Sequence, residues 1–178
     1  MRLLIFLLLC INFVQGNAQN LQTIVHDRHI PKNELKIKID KSDYKLMVYH
    51  GTDLLKTYPC VFGFNPVDDK RQEGDGCTPE GTFKIRSKYA HKSWSYFIWI
   101  DYPNKESWRR FNQRKKDGEI SSDASIGGEI GIHGVPNGYD DLISSKTNWT
   151  LGCISLKSAD ITDIFKSIGD QTIIEIIP

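Results

Sequence analysis

The sequence predicts a mainly β domain, a curved sandwich or barrel with one or two short helices packed on the sheet. Three observations carry this. Apolar and polar residues alternate in several short runs, Gly, Asp and Ser clusters separate those runs, and a single stretch has a strong helical period. In "ELKIKID", Leu35, Ile37 and Ile39 alternate with charged neighbours, the period-two signature of a half-buried strand. "YKLMVYH" follows after "KSD", and "LLKTYPCVFG" after "HGTD". Strands joined by such short polar turns form an antiparallel meander. "GTFKI", "YFIWID", "GEIGIH" and "QTIIEII" are further strands. Ile161, Ile164, Phe165 and Ile168 recur at helical spacing between Ser158, a candidate N-cap, and Gly169, a candidate stop. "ESWRRF" is the start of a second, short helix.

The chain opens with Arg2, then an apolar run from Leu3 to Val14 broken only by Asn12, then Gly16-Asn17-Ala18. That is the pattern of a cleavable signal peptide over residues 1–18, and the run falls short of the roughly 20 apolar residues that span a bilayer. The expected localisation is therefore export, to a periplasm or cell-wall space, with no stable membrane insertion afterwards. Cys10 leaves with the signal, because the bulky Leu9 before it is unlike a lipoprotein site. Residues 19–33 show no clear period and are expected to form an N-terminal extension to a domain over 34–178. Removal of the signal takes away Arg2 from 23 basic residues and nothing from 22 acidic ones, so the mature chain is balanced. A balanced chain has no basic field for nucleic acid. It is of single-domain size and long enough to bury a real core. A monomer is expected.

Cys60, Cys77 and Cys153 remain after cleavage. Oxidising surroundings favour pairing. A local Cys60–Cys77 bridge is the simplest pairing and would leave Cys153 free; three buried thiols are the alternative. Cys153 follows Gly152, which removes a side chain beside the sulfur. A cysteine becomes a nucleophile only when a base accepts its proton. Of the five histidines, only His133 closes an apolar strand pattern and precedes a glycine, Gly134. A small inert hydrophobe is the plain reading of Cys153, and a silent imidazole that of His133.

"IGIHG", followed at a distance by "TLGCISL", resembles the active-site signature of the L,D-transpeptidase catalytic domain, the YkuD family. "CTPEGTFKI" is similar to that family's Thr-Pro-x-Gly-x-Phe segment, and "VFGFN" ends strands like the family's opening ones. The resemblance runs over about residues 33–178, and "IDYPN", "GGEIGIHG" and "NWTLGC" look most like a branch that includes YafK-type proteins. It implies an L,D-transpeptidase-like fold and an exported acyltransferase acting on peptidoglycan stem peptides. Cys153 would be the nucleophile, attacking the carbonyl of the third stem residue and releasing D-alanine. His133 would be general base and acid. The Gly134 carbonyl would orient the imidazole, and main-chain N–H groups near Gly152 and Cys153 would meet the oxyanion. Thr150 matches the motif's hydroxyl position; Thr150, Ser155 and Trp149 are the substrate-binding candidates. Leu151 stands where many members carry His, and Ser155 where many carry Arg or Asn. The chemistry needs no metal and no organic cofactor, and a carbapenem is an expected inhibitor.

Trp94, Tyr96, Trp99 and Trp149 would line a groove or, as aromatic residues at strand spacing more often do, fill the core. Asp140 and Asp141 could orient His133 but read as solvated acids. The loop "GVPNGYDDLISSKTN" is a lid or a plain connection. Three functions fit: transpeptidase, a hydrolase with the same residues (a carboxypeptidase, or an amidase releasing wall-attached protein), and a wall-binding module with an inert cysteine.

Overall fold

The computed structural model describes residues 19–178, so the signal segment and Cys10 lie outside the described residues. The chain folds as α1 (Leu21–Asp27), one 3₁₀ turn, β1 (Leu35–Asp40), β2 (Lys45–His50), β3 (Asp53–Pro59), β4 (Gly81–His91) and β5 (Ser95–Ile100). Then come α2 (Lys105–Lys116), β6 (Gly131–Gly134), α3 (Asp141–Ser144), β7 (Ile154–Leu156), α4 (Ser158–Ser167) and β8 (Ile173–Ile177). Eight strands form one sheet in the order β3-β2-β1-β8-β4-β5-β6-β7. The mainly β expectation holds.

The first three strands make the expected antiparallel meander. Two pairs depart from it. β8 inserts between β1 and β4 and runs parallel to β1, with Ile37 opposite Ile174. β6 and β7 are also parallel, with His133 opposite Ser155. Parallel neighbours cannot be joined by a tight hairpin, so each such pair needs a crossover. The segment with α3 makes that crossover between β6 and β7, and this is why the histidine and the cysteine stand so far apart in sequence.

The sheet curls until its two edges meet. Just past β3, Val61 N–H donates to Ser155 O at 2.9 Å and Ser155 N–H donates to Val61 O at 2.8 Å. A closed sheet leaves no unpaired edge at that seam. Inside, Leu35, Ile37, Ile39, Leu46, Val48, Ile174 and Ile176 are almost wholly buried. Each such side chain contributes on the order of 2 kcal/mol of transfer free energy.

Helix α1 was not legible as a helix in residues 19–33, yet it is packed. Leu21, Ile24 and Val25 are buried, and Asn20 caps it by accepting from Thr23 N–H at 2.8 Å. Asp163 on α4 accepts from Leu21 N–H at 2.8 Å, Gln22 N–H at 3.1 Å and Tyr58 Oη–H at 2.8 Å. One carboxylate thus pins α1 to the body. Helix α4 begins at Ser158, but Ser158 is not its cap: its N–H donates to Asp140 Oδ1 at 3.1 Å. Asp140 stays exposed, as expected, and holds the start of α4 rather than orienting His133. Gly169 follows the helix because a Cβ there would lie 1.8 Å from Asn33 Oδ1. Helix α2 is longer than expected, capped by Asn104. Its Arg110 and Arg114 reach Asp69 Oδ2 at 3.1 and 2.7 Å and fasten the loop before β4. Among the described residues no helix is long and apolar enough to cross a membrane.

The expected Cys60–Cys77 bridge does not form; all three cysteines are free thiols. Cys60 is packed in the core at the end of β3, and Cys77 Sγ approaches Asp75 O at 3.5 Å, held by the loop that Asp75 organises. Burial pushes both thiols up, Cys77 to about 11.

Candidate active site

His133 lies in β6 and Cys153 immediately before β7, the strand paired parallel to it, and both line one cavity of about 570 Å³. Trp149, Thr150 and Leu151 line it too, with Lys70, Glu73 and Glu129 as its charged members. A second hollow of about 230 Å³, walled by Tyr89, Trp94, Phe97 and Trp99, also reaches Cys153 and Glu129. The thiol therefore stands where two hollows meet. An open hollow of about 630 Å³ beside α1 is larger, but it holds neither of these groups.

The imidazole is fixed by its neighbour. His133 Nδ1 lies 2.8 Å from Gly134 O. A carbonyl only accepts, so Nδ1 carries the proton and Nε2 is left as the base nitrogen. Gly134 is held in turn: its N–H donates to Trp94 O at 3.1 Å, and a Cβ on it would lie 2.7 Å from that same oxygen. Trp94 also stacks its ring on His133 with centroids 4.4 Å apart, and Phe97 stacks on it at 5.6 Å. Trp149 meets the imidazole edge-on at 5.6 Å. Burial in this aromatic nest pushes His133 down to about 4, against the opposing pull of the Gly134 carbonyl.

The thiol is presented by a locked turn. Thr150 Oγ1 donates to Cys153 O at 2.7 Å and accepts from Gly152 N–H at 3.1 Å. Gly152 has φ +139, and a Cβ there would lie 2.7 Å from Cys77 O, so two separate constraints demand glycine. Burial pushes Cys153 up to about 11; a Gly131 N–H and Lys70 draw it down and the Glu129 carboxylate pushes it further up. Cys153 Sγ lies 3.5 Å from Glu129 O. Lys70 is almost fully buried, with Nζ 2.8 Å from Asp75 Oδ1.

The structure brings Cys153, His133, Gly134, Gly152, Thr150 and Trp149 together. The Gly152 N–H is already engaged by Thr150, and the Thr150 hydroxyl is engaged on both sides by the turn. Ser155 is fully buried beside His133 in the strand register, and its Oγ has no partner. Tyr96 turns away, stacking on Phe165 of α4 at 4.2 Å. Residues 135–148 contribute nothing to the cavity lining; Ile143 anchors them on Val61 and Val135, which makes the loop a connection. Sequence reasoning missed Trp94 as the support of His133, and it missed Glu129, whose only local mark is its place after Gly127 and Gly128 at a strand start. Among the described residues no group of three or more His, Cys, Asp or Glu side chains converges as a metal site would.

A family model described as the L,D-transpeptidase catalytic domain, YkuD, matches residues 34–176. No curated protein matches. Among solved structures, the helical cell shape determining protein Pgp2 of Campylobacter jejuni is 18% identical with a TM-score of 0.56, covering 87% of this chain and 54% of that one. Bd1075 of Bdellovibrio bacteriovorus is 21% identical with a TM-score of 0.56, covering 81% of this chain and 48% of that one. L,D-transpeptidase 3 of Mycobacterium tuberculosis, bearing a faropenem-derived adduct, is 13% identical with a TM-score of 0.50, covering 82% of this chain and 60% of that one. The chain spans about half the length of the first two. At these identities the likeness speaks to the fold; the family match over most of the chain decides membership. This chain belongs to the L,D-transpeptidase catalytic domain (YkuD) family.

Proposed function

We propose that this protein is an exported peptidoglycan L,D-transpeptidase that works by cysteine acyl transfer. The observation that carries the reading is the pairing of a tautomer-fixed His133 with Cys153 on one cavity. Burial disfavours charge on both groups, so the resting pair is neutral thiol and neutral imidazole. The thiol proton then moves to His133 Nε2 as sulfur attacks the carbonyl of the third stem residue. The C–S bond forms, the bond to D-alanine breaks, and His133 returns its proton to the leaving amine. The oxyanion is met by the Cys153 N–H, since Gly152 N–H is already engaged. An acceptor amine attacks the thioester, its proton passes through His133 to the departing sulfur, and the new amide leaves. Trp149 and Leu151 are placed to meet the donor stem in the larger cavity.

Transfer is favoured over hydrolysis because a second hollow opens on the same sulfur, giving an acceptor its own approach. Mass spectrometry of disaccharide-tetrapeptide incubated with the protein over residues 19–178 tests this. A crosslinked dimer with released D-alanine is the expected product. A shortened tripeptide alone would make the protein a carboxypeptidase, and no change in either would leave only wall binding.

A further inference from the structure

We propose that His91 is a positioning residue for His133 that acts through Trp94: while neutral it seats the indole against the His133 ring, and once protonated it opposes the proton that His133 must accept. Its effect on rate rests on the transpeptidase reading; the coupling of the two imidazoles does not.

The geometry is a stack of three rings. The indole of Trp94 lies between two imidazoles, His91 with centroids 4.4 Å away and planes 12° apart, and His133 with centroids 4.4 Å away and planes 26° apart. His91 ends β4 and Trp94 sits in the turn to β5, so one hairpin lays two of the rings against the third on β6. Tyr89 of β4 and Phe97 of β5 each lie 6.3 Å from the His91 ring. Lys92 follows it in the turn, and Lys70, Glu73 and Glu129 are the charged groups of the cavity beyond Trp94. His91 is half-buried and so exchanges protons with solvent, whereas His133 is buried.

The turn fixes the state of His91. Ser93 N–H donates to His91 Nδ1 at 3.2 Å, so Nδ1 carries no proton and the ring is neutral, protonated at Nε2. A further proton would land on Nδ1, against that N–H, and break the bond. The same turn holds the Trp94 carbonyl, which accepts from Tyr96 N–H at 2.7 Å and from Gly134 N–H at 3.1 Å. Gly134 O in turn meets His133 Nδ1 at 2.8 Å.

Protonation of His91 therefore reaches His133 by two routes. It releases the turn whose carbonyl and ring hold Gly134 and His133. It also puts a cation on one face of an indole whose other face must meet the imidazolium formed when the thiol proton moves. Two cations across one ring repel, which lowers the proton affinity of His133 by about tenfold at the effective dielectric of a partly exposed site. Burial first, and a charge on His91 after it, hold His133 down.

Two substitutions separate charge from ring. His91→Phe keeps a stacking ring without a charge, and His91→Arg lays a permanent planar cation on the indole. Ring-proton signals followed by NMR against pH, in the protein over residues 19–178, give the titrations of both histidines. His133 should titrate about one pH unit higher in His91→Phe than in His91→Arg. Carbapenem acylation at pH 8 should be about tenfold slower in His91→Arg than in His91→Phe. In the wild type the acylation rate should step down about tenfold as the His91 signal titrates, a slowing that precedes the failure at His133, and both variants should lack that step. Equal His133 titrations in the two variants, or a step that persists in both, would overturn the proposal. So would a wild-type rate that ignores the His91 titration, a result that stands even where a substitution disturbs the hairpin. A wild type that no carbapenem acylates would instead remove the transpeptidase reading and leave the coupling to the NMR titrations.

Discussion

The hydroxyl of Thr150 donates to the carbonyl of Cys153 at 2.7 Å while accepting from Gly152 N–H, so one side chain fixes the backbone that carries the Cys153 thiol. A buried hydrogen bond of this kind contributes about 1–2 kcal/mol, and its loss leaves a polar group unpaired. Thr150→Val should lower the rate of carbapenem acylation at Cys153 by about tenfold or more, at about 1.4 kcal/mol per decade. Thr150→Ser keeps the hydroxyl and should retain most of the rate. Stopped-flow acylation of both variants checks this, and equal rates in wild type and Thr150→Val would remove the turn-locking role.

His133 as base makes a prediction about pH. A strained β-lactam needs little help for its leaving group, so its reaction isolates removal of the thiol proton. With His133 down at about 4, wild-type acylation should persist well into acid, failing only where Nε2 is protonated. His133→Ala should lose about two to four decades near neutrality. It should then recover as the solution approaches the thiol's own titration near 11. Near-normal rates in the variant from pH 6 to 10 would reduce His133 to an acid for the leaving group.

The same shift couples to folding. His133 takes up a proton less readily folded, at about 4, than unfolded, at 6.5. Below pH 6.5 the unfolded chain therefore gains a proton that the folded one refuses. Its contribution to stability is full above 6.5 and is lost as pH falls toward 4, by up to about 3 kcal/mol. Denaturant midpoints measured across that window should fall more steeply for wild type than for His133→Gln. Parallel curves would show that the imidazole is not held neutral by burial.

Thiol labelling separates the three cysteines. Cys60 and Cys77 are buried and free, while Cys153 is partly exposed. Iodoacetamide should modify Cys153 alone in the folded protein, slowly at neutral pH and faster as pH rises toward about 11. Intact-mass analysis before labelling should show no disulfide. Labelling of Cys60 at a comparable rate would contradict the core packing at the end of β3.

Asp163 ties α1 to the body through two backbone N–H groups and the Tyr58 hydroxyl. Asp163→Ala strands three donors, two of them buried, and should cost about 3 kcal/mol, read as a drop in thermal midpoint. Tyr58→Phe removes one of the three and should cost about 1 kcal/mol. Hydrogen exchange in residues 21–27 should rise in Asp163→Ala before the rest of the sheet opens. Unchanged protection there would show that α1 is held by Leu21, Ile24 and Val25 alone.

Much of this protein is set by local sequence. Alternation in "ELKIKID" and "QTIIEII" fixes which residues face the core, because side chains on a strand alternate between faces. The spacing of Ile161 and Ile164 likewise fixes the buried face of α4, with Ile168 buried just past its end, and glycines beside His133 and Cys153 mark where backbones approach too closely for a side chain. Periodicity says nothing about which strand lies alongside. The parallel pairing of β8 with β1 and of β7 with β6, and the closure of Val61 on Ser155, depend on contacts between distant segments. Helix α1 escaped detection because a buried face of Leu21, Ile24 and Val25 is too short to declare a period, and its anchor Asp163 lies on α4. Trp94 reads locally as one more aromatic in a hairpin. Only the antiparallel register of β5 with β6 puts it against His133, where its carbonyl holds Gly134 and its ring excludes water from the imidazole. Glycine-flanked placement and a family resemblance single out Cys153 and His133 in the sequence; the packing of strands far apart in the chain decides their protonation, their neighbours and what can reach them.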